Sequence, residues 1–375
     1  MRRILILTQP LFTNYGGLLQ AFALQRVVKS IMGEGNAEVV TDRVTLQNRR
    51  NLRYYISRVK ALIKTIIKIL LRRNQYKANY KIVSQHTERF IDNHISNVTI
   101  PRLTARYINY YDTFLVGSDQ VFRRAYSNVT EYFLRALKDR KDKRRIVYAA
   151  SFGIENLSEW SRSEVLACRQ LAPKFQAISV REDIGVDIFR YNFDLHAEHV
   201  LDPTMLLSQQ DYLSIIEPED EVKRQNLLMC YVLDKSEDKQ KIIRTVADRL
   251  HLDILEVMPE EQLTSRTKDV SKCIFPSVSK WIAGFRDADF VVTDSFHGTV
   301  FSIIFNKPFI CIGNKRRGLS RFTSLLTIFS LNKRLIFSSE ELREDLFLPI
   351  DYSAVNQTLS EWQQKSIHYL EQNLK

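Results

Sequence analysis

Residues 289–317 restrict the chain to a small set of folds. Phe290, Val291, Val292 and Thr293 form a short apolar run rich in β-branched residues, and Pro308 to Ile312 form another. Between them lies an apolar helical stretch, Thr299 to Phe305, preceded by Asp294-Ser295-Phe296-His297-Gly298. Strand, helix and strand in such quick succession make a crossover unit whose two strands run parallel. A parallel sheet is covered by helices on both faces, so the rest of the chain must supply more units of the same kind.

It does. Strand Ile4–Thr8 leads through Asn14-Tyr15-Gly16-Gly17 into a helix from Leu18 to about Met32, where Leu19, Phe22, Ala23, Val27 and Ile31 follow helical spacing. Further strands are expected at Glu38–Thr41, Thr113–Val116, Ile146–Ala150, Ala177–Val180 and His199–Leu201. The charged break Pro218-Glu219-Asp220-Glu221 reads as a linker. A second series follows, with strands at Asn226–Leu233, Ile254–Val257, Phe290–Thr293 and Phe309–Ile312. A chain of 375 residues is long for one core. The expectation is an α/β protein of two Rossmann-like domains facing a cleft, a GT-B-like arrangement. Residues 1–217 form the first domain and 218–350 the second, and a last helix within 351–375 packs back on the first.

The net charge of +12 is concentrated. Residues 49–81 hold eleven Lys or Arg and no Asp or Glu, which leaves about +1 for everything else. A uniformly basic protein would suggest nucleic acid. One basic segment suggests a local device, and no aromatic-rich reading motif accompanies it, so nucleic acid is not an expected partner. Drawn as a helix, the segment sets Arg53, Lys60, Lys64, Lys68 and Arg72 against Ile56, Val59, Ile63, Ile66 and Leu70. Such a helix either docks on its own domain or lies on an anionic membrane surface, and the absence of acids favours the membrane. No stretch reaches the roughly 18 apolar residues that span a bilayer. The start, Met1-Arg2-Arg3-Ile4-Leu5-Ile6-Leu7, is too briefly apolar for a signal peptide. Cys168, Cys230, Cys273 and Cys311 are scattered, as buried thiols of a reducing compartment would be, and a cytoplasmic protein is expected.

His297 is the sharpest candidate for chemistry. It follows a strand end and precedes a helix, where open α/β sheets place ligands. A histidine there can pack for structure or transfer protons near neutral pH. Free N–H groups at the helix start and the triplet Lys315-Arg316-Arg317 would favour an anion beside it. Arg181, after Ser179-Val180, ends another strand, where it could pair with Glu182 or hold an anion. In the first half, Asn14, Tyr15, Gly16, Gly17 and Gln20 form a glycine-containing junction without the Walker lysine, suited to close backbone approach and sugar hydrogen bonds. Gly117-Ser118-Asp119-Gln120 is a second polar strand end. Asp119 there either accepts a proton from a sugar hydroxyl or caps a helix. Asp202, before Pro203, reads as a turn residue, and Arg321 as structural. No metal-ligand spacing occurs.

Five blocks resemble the polysaccharide pyruvyl transferase family in their order along the chain. They are Asn14 to Ala21, Val116-Gly117-Ser118-Asp119-Gln120-Val121, Ser179-Val180-Arg181-Glu182, Leu201-Asp202-Pro203-Thr204, and Asp294 to Ser302 with Asn306 to Ile310. The resemblance spans residues 3 to about 335. It implies transfer of a pyruvyl group from phosphoenolpyruvate to a sugar, giving a cyclic ketal and phosphate in surface polysaccharide biosynthesis. It implies no cofactor beyond that co-substrate. It makes His297 the acid or phosphate partner, with Asp119 a candidate base. The donor would lie against Arg181, Ser295, Lys315 and Arg317. Asn14, Tyr15, Gly16, Gly17, Gln20 and Ser118 would hold an acceptor carried on a lipid diphosphate or a nucleotide. Relatives with Arg-Leu-His before the helix carry Arg where this chain has Ser295, so one anion ligand is unaccounted for. A GT-B glycosyltransferase using a nucleotide sugar, or a non-catalytic membrane-associated glycan assembly protein, are the alternative readings.

Overall fold

The computed structural model describes residues 1–43, 79–264, 267–314 and 318–375. Residues 49–78 of the basic segment, and Lys315, Arg316 and Arg317, lie outside them. Among the described residues two parallel sheets account for the strands. The first holds β1 (Arg2–Leu7), β2 (Ala37–Asp42), β3 (Asn97–Val98), β4 (Thr113–Val116), β5 (Arg144–Ala150), β6 (Ala177–Val180) and β7 (Glu198–His199), in the order β3-β2-β1-β4-β5-β6-β7. The second holds β8 (Leu227–Tyr231), β9 (Asp253–Glu256), β10 (Phe290–Thr293), β11 (Phe309–Ile312) and β12 (Leu335–Ile336), in the order β12-β11-β10-β8-β9. Ile4, Leu5 and Ile6 are fully enclosed, as are Phe309, Ile310 and Cys311. These central strands carry helices on both faces and so consist of unbroken apolar runs.

Each sheet reverses its winding once, between β1 and β4 in the first and between β8 and β10 in the second. At such a point neighbouring loops leave in opposite directions and open a crevice at the carboxyl ends of the strands. The domains face each other with these crevices opposed. The first helix, Tyr15–Met32, spans the junction. The Tyr15 ring stacks on Trp281 of the second domain at 5.7 Å, and one continuous apolar core joins Leu19, Tyr15, Trp281 and Phe301.

The connecting turn Pro218–Asp220 is held to the second domain, because the Asp220 carboxylate accepts from Ser277 and Ser279 at 3.2 and 2.7 Å. The final helix, Tyr352–Leu374, lies on the first domain. There Tyr369 donates to the Val147 carbonyl at 2.8 Å and Leu201 N–H donates to Ser366 at 3.0 Å. The four cysteines are buried and free. Among the described residues no helix is long and apolar enough to cross a membrane.

Candidate active site

A cavity of about 510 Å³ occupies the meeting point of the two crevices. The first domain contributes Gln9, Pro10 and Asn14 after β1, and Asp119, Gln120 and Tyr126 after β4. The second contributes Leu233 after β8, then Asp294, Ser295, Phe296 and His297 after β10, and Arg321. The β10 turn is rigid. Asp294 is fully buried, and its carboxylate accepts from Leu233 N–H at 2.6 Å, Asp234 N–H at 3.1 Å and Lys239 Nζ at 2.6 Å. Ser295 then caps the helix Phe296–Ile304 by accepting from Gly298 N–H at 3.4 Å. The helix therefore begins three residues before Thr299, and His297 stands in its first turn.

The ring of His297 rests on the first domain at Gly16. A methyl group at Gly16 would lie 2.0 Å from His297 Nδ1 and 2.3 Å from Cγ, so only glycine leaves room for the ring. His297 Nε2 points inward, buried and without a hydrogen-bond partner, 3.8 Å from Asp202 Oδ2. That distance makes an electrostatic contact rather than a hydrogen bond.

Beneath the ring lies a buried ion cluster. Arg181, at the end of β6, donates to Asp202 at 2.6 Å and to Asp119 at 3.1 Å, and its guanidinium lies 4.6 Å from the centre of the Phe296 ring. Asp202 also accepts from Ser118 Oγ at 3.2 Å and from Thr204 N–H and Oγ1 at 3.0 and 2.7 Å. Burial alone would raise the Asp202 carboxyl, but His297, Arg181 and the Thr204 hydroxyl hold it well below the usual carboxylate range. Burial likewise opposes ionisation of Asp119, and Arg181, His297 and Arg321 outweigh it. Asp119 reaches the cavity because its backbone is left-handed, with φ +65°. Two residues earlier, Gly117 has φ +126°, and a methyl group there would meet the Tyr148 carbonyl at 2.0 Å.

A sequence profile for polysaccharide pyruvyl transferases matches residues 14–316, most of the chain, and therefore takes in the junction, the ion cluster and His297. The chain belongs to that family. The protein is a transferase of GT-B-like fold. Its structure is similar to that of a UDP-GlcNAc 2-epimerase from Neisseria meningitidis, with TM-score 0.50 and 9% identity over 98% of this chain and 93% of that one. A putative UDP-N-acetylglucosamine 2-epimerase from Listeria monocytogenes is similar at TM-score 0.50 and 8% identity, over 99% and 91%. Both likenesses concern the fold alone. No curated protein sequence matches the chain.

The cavity brings together His297, Asp119, Ser295 and Asn14. Tyr15, Gln20 and Ser118, expected as acceptor contacts, are not among the residues that line this cavity, and their polar groups are engaged beneath it. Tyr15 is fully enclosed and donates to the Pro276 carbonyl at 2.7 Å. Gln20, also enclosed, donates to Thr8 and to the Gly17 carbonyl at 2.9 Å each. Ser118 N–H donates to Gln20 at 3.1 Å, and the Ser118 hydroxyl to Ala149 at 3.0 Å. Together they lock the ends of β1 and β4 beneath the cavity. Gly16 serves as the seat of His297, and Gly17 packs on the Asn14 side chain. Arg181, expected against the donor, has a fully enclosed side chain whose charge faces two carboxylates beneath the cavity.

Lys315 and Arg317 fall outside the described residues. Asp202 and Arg321 exceed the roles their sequence suggested, since Asp202 underlies His297 and Arg321 lines the cavity. Membership of the Leu201-Asp202-Pro203-Thr204 block was the available signal for Asp202. Arg321 had none. Among the described residues no cluster of three His, Cys, Asp or Glu could hold a metal ion.

Proposed function

We propose that this pyruvyl transferase moves the pyruvyl group of phosphoenolpyruvate onto two hydroxyls of one sugar in a glycan precursor. One observation carries the reading. A histidine from the second domain is seated on a glycine of the first, over a buried carboxylate and inside an interdomain cavity. In this reading His297 gives a proton to the methylene carbon of the enol phosphate. The Asp202 carboxylate, facing Nε2, stabilises the imidazolium that delivers it. The neighbouring carbon becomes oxocarbenium-like and is attacked by one sugar hydroxyl. Departure of phosphate lets the second hydroxyl close the ketal. Overall, phosphoenolpyruvate and a diol give a ketal and inorganic phosphate.

Asp119, on the first-domain wall, is the carboxylate placed to accept a hydroxyl proton, and its pairing with Arg181 keeps it ionised while lowering its basicity. Asn14 and Gln9, which also line the cavity, offer hydrogen bonds to the sugar. The acceptor is proposed to be lipid-diphosphate-linked, with residues 49–81 drawing the enzyme to an anionic cytoplasmic membrane face. Incubating candidate acceptors with phosphoenolpyruvate, then weighing them by mass spectrometry, tests the reading. A pyruvyl ketal gained with one equivalent of phosphate released supports it. Transfer of a sugar from a nucleotide sugar instead would refute it.

A further inference from the structure

A pyranose ring offers two kinds of surface, an edge of hydroxyls and a face of C–H bonds. The cavity of His297 has polar groups for the edge in Asp119, Gln9 and Asn14. The face calls for an apolar plane, and of the described residues lining the cavity Phe296 and Tyr126 carry a six-membered aromatic ring. Phe296 is 3% exposed, and the guanidinium groups of Arg181 and Arg321 lie 4.6 and 5.5 Å from its centre, so its ring is already engaged. Tyr126 is 38% exposed. We propose that Tyr126 is the platform on which the acceptor sugar stacks, and that it positions the sugar's hydroxyls toward Asp119. This rests on the function proposed above and names the residue that holds its acceptor.

The ring is held in advance of any ligand. The Arg123 guanidinium lies over it, 4.7 Å from its centre, and so covers one face. Arg123 is itself buried, donates to Gln120 Oε1 at 3.1 Å and faces Glu159 at 3.8 Å. The backbone is fixed as well. Tyr126 N–H donates to the Arg123 carbonyl at 3.0 Å, and the Ser127 hydroxyl donates to the Val121 carbonyl at 2.6 Å. With Arg123 on one side, the exposed part of the ring is its other face and its edge. A ring already immobilised gives up little rotamer freedom when a ligand stacks on it.

Platform and candidate base belong to one turn after β4, so they keep a fixed relation. Gln120 ties that turn to its surroundings. Its carbonyl accepts from Gln9 Nε2 at 2.9 Å. Its side chain lies against Gly153, where a methyl group would come within 2.1 Å of Oε1. Stacking on Tyr126 sets the plane of the sugar, and hydrogen bonds at its edge then set the rotation within that plane. Both are needed to bring one hydroxyl to a carboxylate in a reactive orientation.

Saturation-transfer NMR of the full chain tests this, with the methyl glycosides of glucose, galactose, mannose and N-acetylglucosamine as probes. Wild type, Tyr126→Phe and Tyr126→Ala are compared. At least one glycoside is expected to bind wild type with its ring C–H protons receiving the strongest transfer. Tyr126→Phe keeps the stack and should keep this signal, whereas Tyr126→Ala should lose it. In turnover with phosphoenolpyruvate, Tyr126→Ala should raise KM for the glycoside at least about 5-fold, the weight of one well-placed aromatic contact. KM for the donor should hold.

No glycoside bound by wild type, or binding unchanged in Tyr126→Ala, overturns the proposal. Equal losses in Tyr126→Phe and Tyr126→Ala also overturn it, because they place the contact at the phenol hydroxyl. A rise in donor KM alone does the same. If Tyr126→Ala does not fold, Tyr126→Leu, which keeps bulk without a ring, decides on the same readouts. A glycoside that binds through Tyr126 but gains no ketal removes the donor reading and leaves the platform standing. Ketal formed with the same glycoside KM in wild type and Tyr126→Ala removes the platform and leaves the donor reading standing.

Discussion

Gly16→Ala is the smallest change that separates the position of His297 from its chemistry. The added methyl would sit 2.0 Å from Nδ1, and ordinary contact begins at 3.4 Å, so ring or helix must retreat by about 1.4 Å. Cγ, at 2.3 Å, is crowded too, so rotating the ring tip does not relieve the clash. A retreat of that size removes the acid from its reacting distance, and displacements near 1 Å cost about 100-fold in rate. Stability should fall modestly, because overpacking a buried contact costs about 1–3 kcal/mol and the gain in helix propensity offsets only part of it. Gly16 lies in the helix Tyr15–Met32 without positive φ, where alanine is favoured by roughly 0.5–1 kcal/mol before any strain. The expected result is a turnover loss on the order of 100-fold, at saturating donor and acceptor, with Tm within a few degrees of wild type. Turnover within 3-fold of wild type, with the melting curve unchanged, would refute the idea that the seat on Gly16 sets the histidine.

Three further outcomes are expected. His297→Ala should lower turnover by roughly 100-fold or more with the fold retained, as judged by circular dichroism, because general acids contribute at that level; near-normal turnover removes it from the mechanism. Asp202→Asn leaves the enclosed Arg181 short of a countercharge and should cost about 3–5 kcal/mol in urea unfolding. Because the folded Asp202 carboxyl is depressed, its stabilisation is present above the ordinary carboxylate pKa and is lost as pH falls toward the folded value. Wild-type stability should therefore fall more steeply than that of Asp202→Asn below about pH 4, and parallel curves would contradict the pairing. Finally, the protein should sediment with anionic but not neutral vesicles and be released by salt, at about 1 kcal/mol per basic residue. Gln in place of Lys60, Lys64, Lys68 and Arg72 should abolish this, and indifference to anionic vesicles at low salt would count against membrane docking.

Strands such as β8, β10 and β11 were legible because burial on both faces demands continuous apolar runs, and these stand out locally. The strands β3 and β12 were not, since two residues carry no periodicity. The place of His297 and Asp119 at the cavity was legible because the ends of parallel strands border the crevice. Tyr15, Gln20 and Ser118 share that address but not that use. Tyr15 finds its partner 261 positions away and Ser118 finds Gln20 98 positions away, so only the folded chain shows that their polar atoms are already satisfied. Arg181 meets Asp202 and Asp119 across 21 and 62 positions, and its apparent freedom as a cation vanishes once those carboxylates are in place. Arg321 was hidden for a different reason. Its Ser-Arg-Phe neighbourhood looks like a helix start, and its importance comes from the cavity that the other domain closes over it.

The return of the Tyr352–Leu374 helix to the first domain has a mechanical consequence. The backbone passes between the domains near Pro218–Asp220 and again just before Tyr352, and both crossings are anchored. Two pivots define an axis, and bodies pinned at two points can rock about it but cannot easily slide past one another. Any motion between the domains would therefore be a swing of the cleft mouth rather than a shear, and the core shared by Tyr15, Leu19, Trp281 and Phe301 resists it. The imidazole already sits against Gly16 like a bolt in its socket, so the core that resists the swing also keeps the ring seated.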